Sequence, residues 1–274
     1  MPEHDFHSSV ELIFSQPWLR ERQAEYFELL TDCPSDAHRR MVISLLSRTK
    51  YVSASEYVGA IDSMRDHVEN NWNLKPHNTI FVSSNKEYTD SSQEVLNQLK
   101  SSRWTDPDWN KELFFVRYRD ALTKIGEGYN VVLVDDFIGS GGSMLASIGW
   151  FTQKLTSLGL NAKIRVLSVS GCVEGIGNIR KSDFEIHTIF SIPKGLSDYL
   201  TGADLTDASA KMADLEDLLE LKIGPKALTK YRFGWKKQEA VFVRHGGNTP
   251  NNVFPIFWWH RLKSGVRRTI MHRT

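Results

Sequence analysis

The sequence predicts an α/β protein in which a parallel sheet follows a helical N-terminal region. From residue 79 onward, short apolar runs with β-branched members alternate with stretches of helical spacing. Buried parallel strands have this continuous apolar character, and strand–helix alternation is typical of α/β sheets. Before residue 76 the apolar residues recur at helical spacing instead, so helices are expected there.

Three helices are expected in the N-terminal region. Pro17 suits the first turn of one helix. Residues 35–47 carry a second apolar helical face. The third helix begins at Ser53, which has a glutamate three residues on, as a capping box requires. Pro76 then ends the helical pattern.

The strands of the predicted sheet share a short length and an apolar, partly β-branched composition. They are residues 79–83, 114–116, 130–134, 162–168, 184–190 and 240–243. The later helices are residues 92–100, 143–158 and 206–221. An aromatic segment, residues 254–259, follows a turn rich in asparagine and proline and is expected to form a strand or a sheet edge.

These elements predict three parts of the chain. Residues 1–75 form a helical region, residues 76–259 hold the sheet and its chemistry, and residues 260–274 form a basic C-terminal tail. The tail has five lysines and arginines and no acidic residue, which suits contact with a phosphate backbone or an acidic partner. A solvated, frayed terminus is the other interpretation.

Composition excludes several classes of protein. The net charge is +1, so the whole-chain charge gives no case for nucleic acid or membrane. Cys33 and Cys172 lie far apart, which argues against a disulfide framework and a thiolate zinc site. The N-terminus lacks the pattern of a signal peptide, and no apolar run is long enough to cross a bilayer. A cytoplasmic protein without membrane contact is therefore expected.

The loop after the strongest strand carries most of the functional argument. Asp135 and Asp136 end that strand, and a glycine-rich turn leads into a helix. Such a turn directs backbone N–H groups at an anion, and the helix dipole adds to the attraction. The residues expected to contact the anion are Gly139, Ser140, Gly141, Gly142 and Ser143.

Competing phosphate loops fit less well. A Walker A loop needs a lysine, and none occurs between Gly139 and Gly149. A dinucleotide fingerprint needs a third glycine where Met144 stands. Neither explains the two adjacent aspartates, which would repel a phosphate but would accept hydrogen bonds from sugar hydroxyls. The ligand predicted by the whole pattern is a phosphorylated ribose. A capped strand–helix turn with solvated aspartates is the alternative.

The segment 131–143 resembles the signature of type I phosphoribosyltransferases, with serines in the two threonine positions. The resemblance implies a phosphoribosyltransferase (Rossmann-like) parallel-sheet core. It implies that Asp135 and Asp136 hold the ribose hydroxyls of phosphoribosyl pyrophosphate, as the catalytic pair, and that residues 139–143 hold its 5-phosphate. Mg²⁺ is expected to arrive with the pyrophosphate, so no residue is assigned as a direct metal ligand.

A pyrophosphate loop should follow an earlier strand in this family. The strand at residues 79–83 ends in the right place, and the residues assigned to the loop are Ser83, Ser84, Asn85 and Lys86. Arg117 stands where the family often has a mobile catalytic loop, and arginine suits a pyrophosphate leaving group. An ordinary polar loop and a solvated helix face are the competing interpretations.

The segment 248–259 narrows the resemblance. Together with the form of the loop at Asp135, it looks like the phosphoribosyltransferase-like effectors of bacterial conflict systems. That resemblance implies a toxin or effector of antiphage defence, in a toxin–antitoxin or retron-type operon, with an antitoxin or operon protein as partner. Asn251 and Asn252 are assigned to base recognition. The alternative is that these amides satisfy their own turn, and that Trp235 and Trp258 fill the core.

Two functions therefore follow from the sequence. The first is an enzyme, a pentosyltransferase that transfers a phosphoribosyl group or depletes nucleotides. The second is a non-catalytic sensor that binds phosphoribosyl pyrophosphate or nucleotides in the same pocket.

Overall fold

The computed structural model describes residues 3–84 and 91–273, with side chains from residue 7 onward except that of residue 111. Two compact units divide the chain. Unit 1 comprises the described residues of Met1–Ser53 and Ile192–Thr274, and unit 2 is Ala54–Ser191 with the same restriction. The predicted α/β class, with a parallel sheet and N-terminal helices, is confirmed.

The described residues form nine α-helices. In chain order they are α1 (Glu3–Ser15), α2 (Gln23–Asp32), α3 (Asp36–Ser47), α4 (Ala54–Asp66), α5 (Ser91–Lys100), α6 (Tyr118–Leu122), α7 (Gly142–Ser157), α8 (Val173–Lys181) and α9 (Gly202–Asp217). The helices expected at residues 35–47, 92–100 and 143–158 are confirmed to within one residue at each end. The helix expected from Pro17 is split, because a 3-10 segment (Pro17–Arg22) precedes α2.

The described residues also form eleven β-strands. They are β1 (Lys50–Val52), β2 (Thr79–Ser83), β3 (Phe114–Phe115), β4 (Asn130–Ile138), β5 (Lys163–Cys172), β6 (Glu185–Ile192), β7 (Lys222–Ile223), β8 (Lys226–Ala227), β9 (Phe242–Arg244), β10 (Arg261–Leu262) and β11 (Gly265–Val266). Pro255–Phe257 is a 3-10 turn, so the strand expected at residues 254–259 is wrong. The proline fixes φ and lacks the N–H that a sheet would need.

A five-stranded sheet forms the centre of unit 2, with the strand order β3-β2-β4-β5-β6. The pairings of β2 with β3, of β2 with β4 and of β4 with β5 are parallel. One face of the sheet packs on α6, α7 and α8 through a cluster of buried residues, among them Leu133, Ile148, Phe151 and Ile179. Helices α4 and α5 contact β5 and β4. The sheet is therefore covered by helices, as its continuous apolar strands predict.

Unit 1 is built from segments at both ends of the chain. Strand β1 pairs in parallel with β9, and α3 contacts α9. The compact units therefore change at Ser53–Ala54 and Ser191–Ile192. The division expected after residues 75 and 259 stays a prediction about domains. The pairing of β1 with a strand almost two hundred residues later has no local signal in the sequence.

Candidate functional site

The carboxyl ends of β2 and β4 mark the point where the strand order reverses. The pairing of β2 with β4 ends at Ser83↔Val134, whereas β4 stays paired with β5 as far as Ile138↔Gly171. The N–H of Ser84 donates to the carbonyl oxygen of Val134 at 2.8 Å and closes the shorter pairing. Strand β4 thus continues beyond β2, and ligands of open α/β sheets bind at such a switch point.

Asp135 and Asp136 lie on this extension of β4. Both are half-buried, and the N–H of Asp136 donates to Oδ1 of Asp135 at 2.9 Å. Successive residues of a strand project to opposite faces, so the two carboxylates leave the backbone in different directions. Each remains accessible enough to accept a hydrogen bond from a ligand hydroxyl.

The phosphate loop, residues 139–143, connects β4 to α7. Gly141 has a φ of +82°, a left-handed conformation that favours glycine, and α7 has no side-chain hydrogen bond at this N-cap. Gly142 and Ser143 are exposed. The N–H groups of a first helical turn have no partner within the helix. The loop therefore has the backbone geometry of an anion site at the start of a 16-residue helix.

Helix α8 fixes the shape of the phosphate loop. A Cβ placed on Gly175 would lie 1.9 Å from the carbonyl oxygen of Gly139, so only glycine permits this approach. Nδ2 of Asn178 donates to the carbonyl oxygen of Ser140 at 3.2 Å. The sequence reasoning missed both residues, because it did not predict α8. The glycines at 171, 175 and 177 were the available signal for a close approach of two backbones.

The predicted pyrophosphate loop is described only in part. Oγ of Ser83 donates to the carbonyl oxygen of Val116 at 3.1 Å, so this buried serine supports the sheet edge. Ser84 is half-buried at the carboxyl end of β2, beside the aspartates. Asn85 and Lys86 lie outside the described residues.

Two side-chain hydroxyls converge on Ser84, and the sequence reasoning assigned neither. The hydroxyl of Tyr118 and Oγ of Ser147 both donate to the carbonyl oxygen of Ser84, the latter at 2.9 Å. Oγ of Ser147 also lies 3.0 Å from the carbonyl oxygen of Ser143, so its single hydrogen is shared between the two acceptors. The Tyr118 ring is buried next to Phe151, with 4.8 Å between ring centroids. Ser147 thus connects the end of β2 to the phosphate loop.

Arg117 lies at the same edge of the sheet. It follows β3, whose pairing with β2 runs through Val82↔Phe115, and it precedes α6 as its N-cap residue. Its side chain is exposed. The structure therefore gathers Ser83, Ser84, Arg117, the aspartate pair and the phosphate loop at the carboxyl ends of three neighbouring strands.

The asparagines of unit 1 have backbone partners in their own unit. Nδ2 of the buried Asn252 donates to the carbonyl oxygen of Trp235 at 3.1 Å, and the carbonyl oxygen of Asn251 accepts from the N–H of Trp235 at 2.8 Å. Trp258 and Trp259 are buried, as the core interpretation expects, whereas Trp235 is only half-buried. The assignment of Asn251 and Asn252 to base recognition stays a prediction.

The described residues show neither a metal-binding cluster nor a membrane-spanning helix. Across residues 3–84 and 91–273, no three His, Cys, Asp or Glu side chains come together in a way that would hold a metal ion. Within the same ranges, none of the helices combines the length and the apolar character that crossing a bilayer requires.

Comparison with known structures gives distant likenesses. Orotate phosphoribosyltransferase from Aeropyrum pernix is 20% identical, with 50% of this chain and 71% of that chain covered and a TM-score of 0.35. Orotate phosphoribosyltransferase from Mycobacterium tuberculosis H37Rv is 12% identical, with 57% and 77% covered and a TM-score of 0.32. Hypoxanthine-guanine phosphoribosyltransferase from Schistosoma mansoni is 15% identical, with 53% and 68% covered and a TM-score of 0.30.

No curated protein matches the sequence. A family model does match, and it spans most of the chain. The family is described as PRTase-CE, in which PRTase denotes phosphoribosyltransferase, and the match runs over residues 30–267. It includes the aspartate pair, the phosphate loop and both asparagines. This chain belongs to the PRTase-CE family.

Proposed function

We propose that this protein binds phosphoribosyl pyrophosphate and transfers its phosphoribosyl group. Membership of the PRTase-CE family suggests phosphoribosyl or nucleotide binding. In the proposal, Asp135 and Asp136 accept hydrogen bonds from the ribose hydroxyls, and the phosphate loop holds the 5-phosphate. Ser84 and Arg117 face the pyrophosphate, with the predicted contributions of Asn85 and Lys86.

One observation carries the proposal. Four residues separate two adjacent carboxylates from Gly141, the left-handed N-cap of α7, at the point where the strand order reverses. Anion donors and sugar acceptors therefore stand within a few residues of each other, which suits a ligand that has a phosphate beside free hydroxyls.

The chemical step breaks the bond between ribose C1 and the pyrophosphate oxygen. Pyrophosphate leaves with the electron pair, positive charge develops on the ribose ring, and a nucleophile of the acceptor then forms the new bond to C1 and loses its proton. The carboxylates of Asp135 and Asp136 favour the developing cation electrostatically while they orient the sugar. An arginine at the position of Arg117 suits the departing charge.

Magnesium fits this chemistry. The aspartate pair supplies carboxylate oxygens, the donor type that Mg²⁺ prefers, beside a ligand whose pyrophosphate supplies more. When bound, Mg²⁺ would neutralise charge on the leaving pyrophosphate. In our proposal the cation arrives on the pyrophosphate, and Asp135 and Asp136 are the residues whose carboxylate oxygens would suit it.

The test is pyrophosphate release from labelled phosphoribosyl pyrophosphate with Mg²⁺ and a set of bases, nucleotides and cell extract as acceptors. The expected result is release by the wild type and none by a D135N/D136N variant. Binding of phosphoribosyl pyrophosphate without release would make the protein a sensor rather than an enzyme. Absence of binding would contradict both functions.

The biological setting is a separate proposal. The resemblance of residues 248–259 to conflict-system effectors supports a cytoplasmic toxin of an antiphage operon, controlled by an antitoxin or operon protein. Expression of the wild type is expected to arrest growth, and D135A/D136A is expected to abolish the arrest. Arrest that persists in the double variant would separate toxicity from the aspartate pair.

A further inference from the structure

The charge of this chain is distributed unevenly. The chain has 34 lysines and arginines and 33 acidic residues, but residues 221–274 hold twelve of the former and only one of the latter. That segment has a net charge of +11 and residues 1–220 have −10, which the overall value of +1 conceals. An asymmetry of this size indicates a polyanionic partner.

Three arginines of the C-terminal tail contact other residues of unit 1. Arg267 is buried and pairs with Asp32 at 3.3 Å. Arg268 pairs with Glu28 at 3.0 Å. Arg273 lies over the ring of Trp258, with its guanidinium carbon 5.1 Å from the ring centroid. These three side chains hold the tail in place and leave Arg261 and Lys263 as its remaining exposed cations, so the predicted contact of the tail with a polyanion stays a prediction.

An earlier stretch has more exposed cations, and aromatic side chains lie among them. The four lysines involved have no ion pair within the part of the chain that the structure describes, and they are Lys222, Lys230, Lys236 and Lys237. Tyr231 and Trp235 lie among them, both half-buried, with their ring centroids 5.4 Å apart. We name residues 222–237 the basic–aromatic segment. The single acid of residues 221–274, Glu239, is buried and accepts the N–H groups of Leu196 and Ser197.

The end of this segment belongs to a strained turn, residues 233–239. Its left-handed residues other than glycine are Phe233, Lys236, Lys237 and Glu239, with φ values between 50° and 59°. A left-handed conformation costs roughly 1–2 kcal/mol for such residues. Strain of this kind persists only where the surroundings enforce it, and it clusters at functional sites.

Hydrogen bonds enforce the strained turn. The N–H of Glu239 donates to the carbonyl oxygen of Phe233 at 2.8 Å, and the N–H of Ala240 donates to that of Asn252 at 3.0 Å. A Cβ on Gly234 would lie 1.9 Å from the same Asn252 oxygen, so the two segments touch through their backbones. The turn is therefore held in one shape, and it directs two adjacent lysines to solvent beside Trp235.

We propose that the basic–aromatic segment binds single-stranded nucleic acid, with the lysines on phosphates and Trp235 stacked on a base. Cations interleaved with accessible aromatic rings are the combination that such surfaces use. A duplex hides its base faces and an anionic membrane offers none, so neither explains why Trp235 stays half-exposed while Trp258 and Trp259 are buried. The site is independent of phosphoribosyl pyrophosphate binding.

The experiment measures fluorescence anisotropy of a labelled oligothymidine of about 20 nucleotides with the full chain, between about 50 and 200 mM salt. The variant K236G/K237G removes two charges at positions where glycine is the less strained residue, so its thermal stability should not fall. Its affinity is expected to drop about tenfold, and the slope of log K against log salt should fall by about 1.4. The control K124Q/K154Q removes two exposed lysines of unit 2.

Two further arms complete the test. W235L is expected to lower the affinity for the single-stranded oligonucleotide about fivefold and to leave the affinity for a matched duplex unchanged. Vesicles of phosphatidylserine and phosphatidylcholine test the membrane. The proposal is overturned if the wild type does not bind the oligonucleotide, if K236G/K237G binds it like the control, if W235L weakens both nucleic acids equally, or if only the vesicles are bound.

Discussion

The phosphate loop of unit 2 and the strained turn of unit 1 use their backbones in opposite ways. The phosphate loop has one left-handed residue, Gly141, and the helix that follows has no side-chain cap. The strained turn has several left-handed residues. The N–H groups of Trp235, Lys237 and Glu239 donate to carbonyl oxygens, and that of Phe233 donates to the Glu216 carboxylate. The first offers backbone donors to a ligand, whereas the second presents the exposed side chains of Lys236 and Lys237.

This difference separates two kinds of anion recognition. A loop at a helix N-terminus suits one compact phosphate, because N–H groups converge on a point. A rigid turn that displays lysines beside an aromatic ring suits an extended polyanion, because its contacts are spread along a surface. Substitutions at one of the two sites are therefore expected to leave recognition at the other unchanged.

The largest effect is expected from D135N/D136N. The substitution keeps the shape of both side chains but replaces each carboxylate, which would accept hydrogen bonds from the ribose hydroxyls, with a neutral amide. The Kd for phosphoribosyl pyrophosphate should therefore rise about 1,000-fold. Isothermal titration calorimetry measures it, with D62N/D183N, two exposed aspartates of the same unit, as the control. Oligonucleotide binding should not change. A rise below about tenfold would contradict the ribose contact.

Gly175→Ala tests the support of the phosphate loop. Its new Cβ would lie 1.9 Å from the carbonyl oxygen of Gly139, so either α8 or the loop must move. The free energy of unfolding should fall by about 3 kcal/mol, measured by urea denaturation. Gly177→Ala on the same helix meets nothing within 4 Å, and it should be neutral or stabilise by up to about 1 kcal/mol. Equal effects of the two substitutions would refute the close approach.

The pH dependence of stability tests the strained turn. Burial raises the pKa of Glu216 to about 8, and its Oε1 accepts the N–H of Phe233 at 2.9 Å. The folded chain holds the Glu216 proton more tightly than the unfolded chain does. The contribution of this group to the free energy of unfolding is therefore complete below the unfolded pKa, and it is lost as the pH rises through about 8. From pH 6 to pH 8.5 the Glu216 contribution should fall by about 2 kcal/mol.

The matched variant is E216Q, which keeps an oxygen acceptor for Phe233 and cannot ionise. Its stability relative to the wild type, from urea denaturation at the two pH values, should increase by the same amount as the pH rises. A constant difference would show that Glu216 does not titrate in this range.

The smallest effect is expected from Y118F/S147A. The substitutions remove both hydroxyls that donate to the carbonyl oxygen of Ser84. Affinity for phosphoribosyl pyrophosphate and for pyrophosphate should fall about tenfold, while affinity for ribose 5-phosphate should stay within about twofold. S157A, near the end of the same helix α7, is the control. An equal loss of affinity for all three ligands would mean that the hydroxyls only stabilise the fold.

The sequence predicted the parts of the fold that local pattern decides. The strand at residues 79–83 and the helices α3, α5 and α7 were expected nearly as they are, because apolar periodicity and turn residues signal them. Helix α8 was missed because it is short and two of its nine residues, Gly175 and Gly177, are glycines, which disfavour a helix. Strand β1 was missed because three residues carry no period of their own.

The sequence by itself determined the chemistry of the candidate site: two aspartates, a glycine-rich turn and a helix start are contiguous, so short-range geometry brings them together. Only the tertiary structure decided what shapes that loop and which cations stay exposed. Gly175 and Asn178 contact the loop from another helix. Asp32 and Glu28, which are distant in the sequence, form ion pairs with Arg267 and Arg268 of the tail. Contacts between distant segments depend on packing, which no local pattern records.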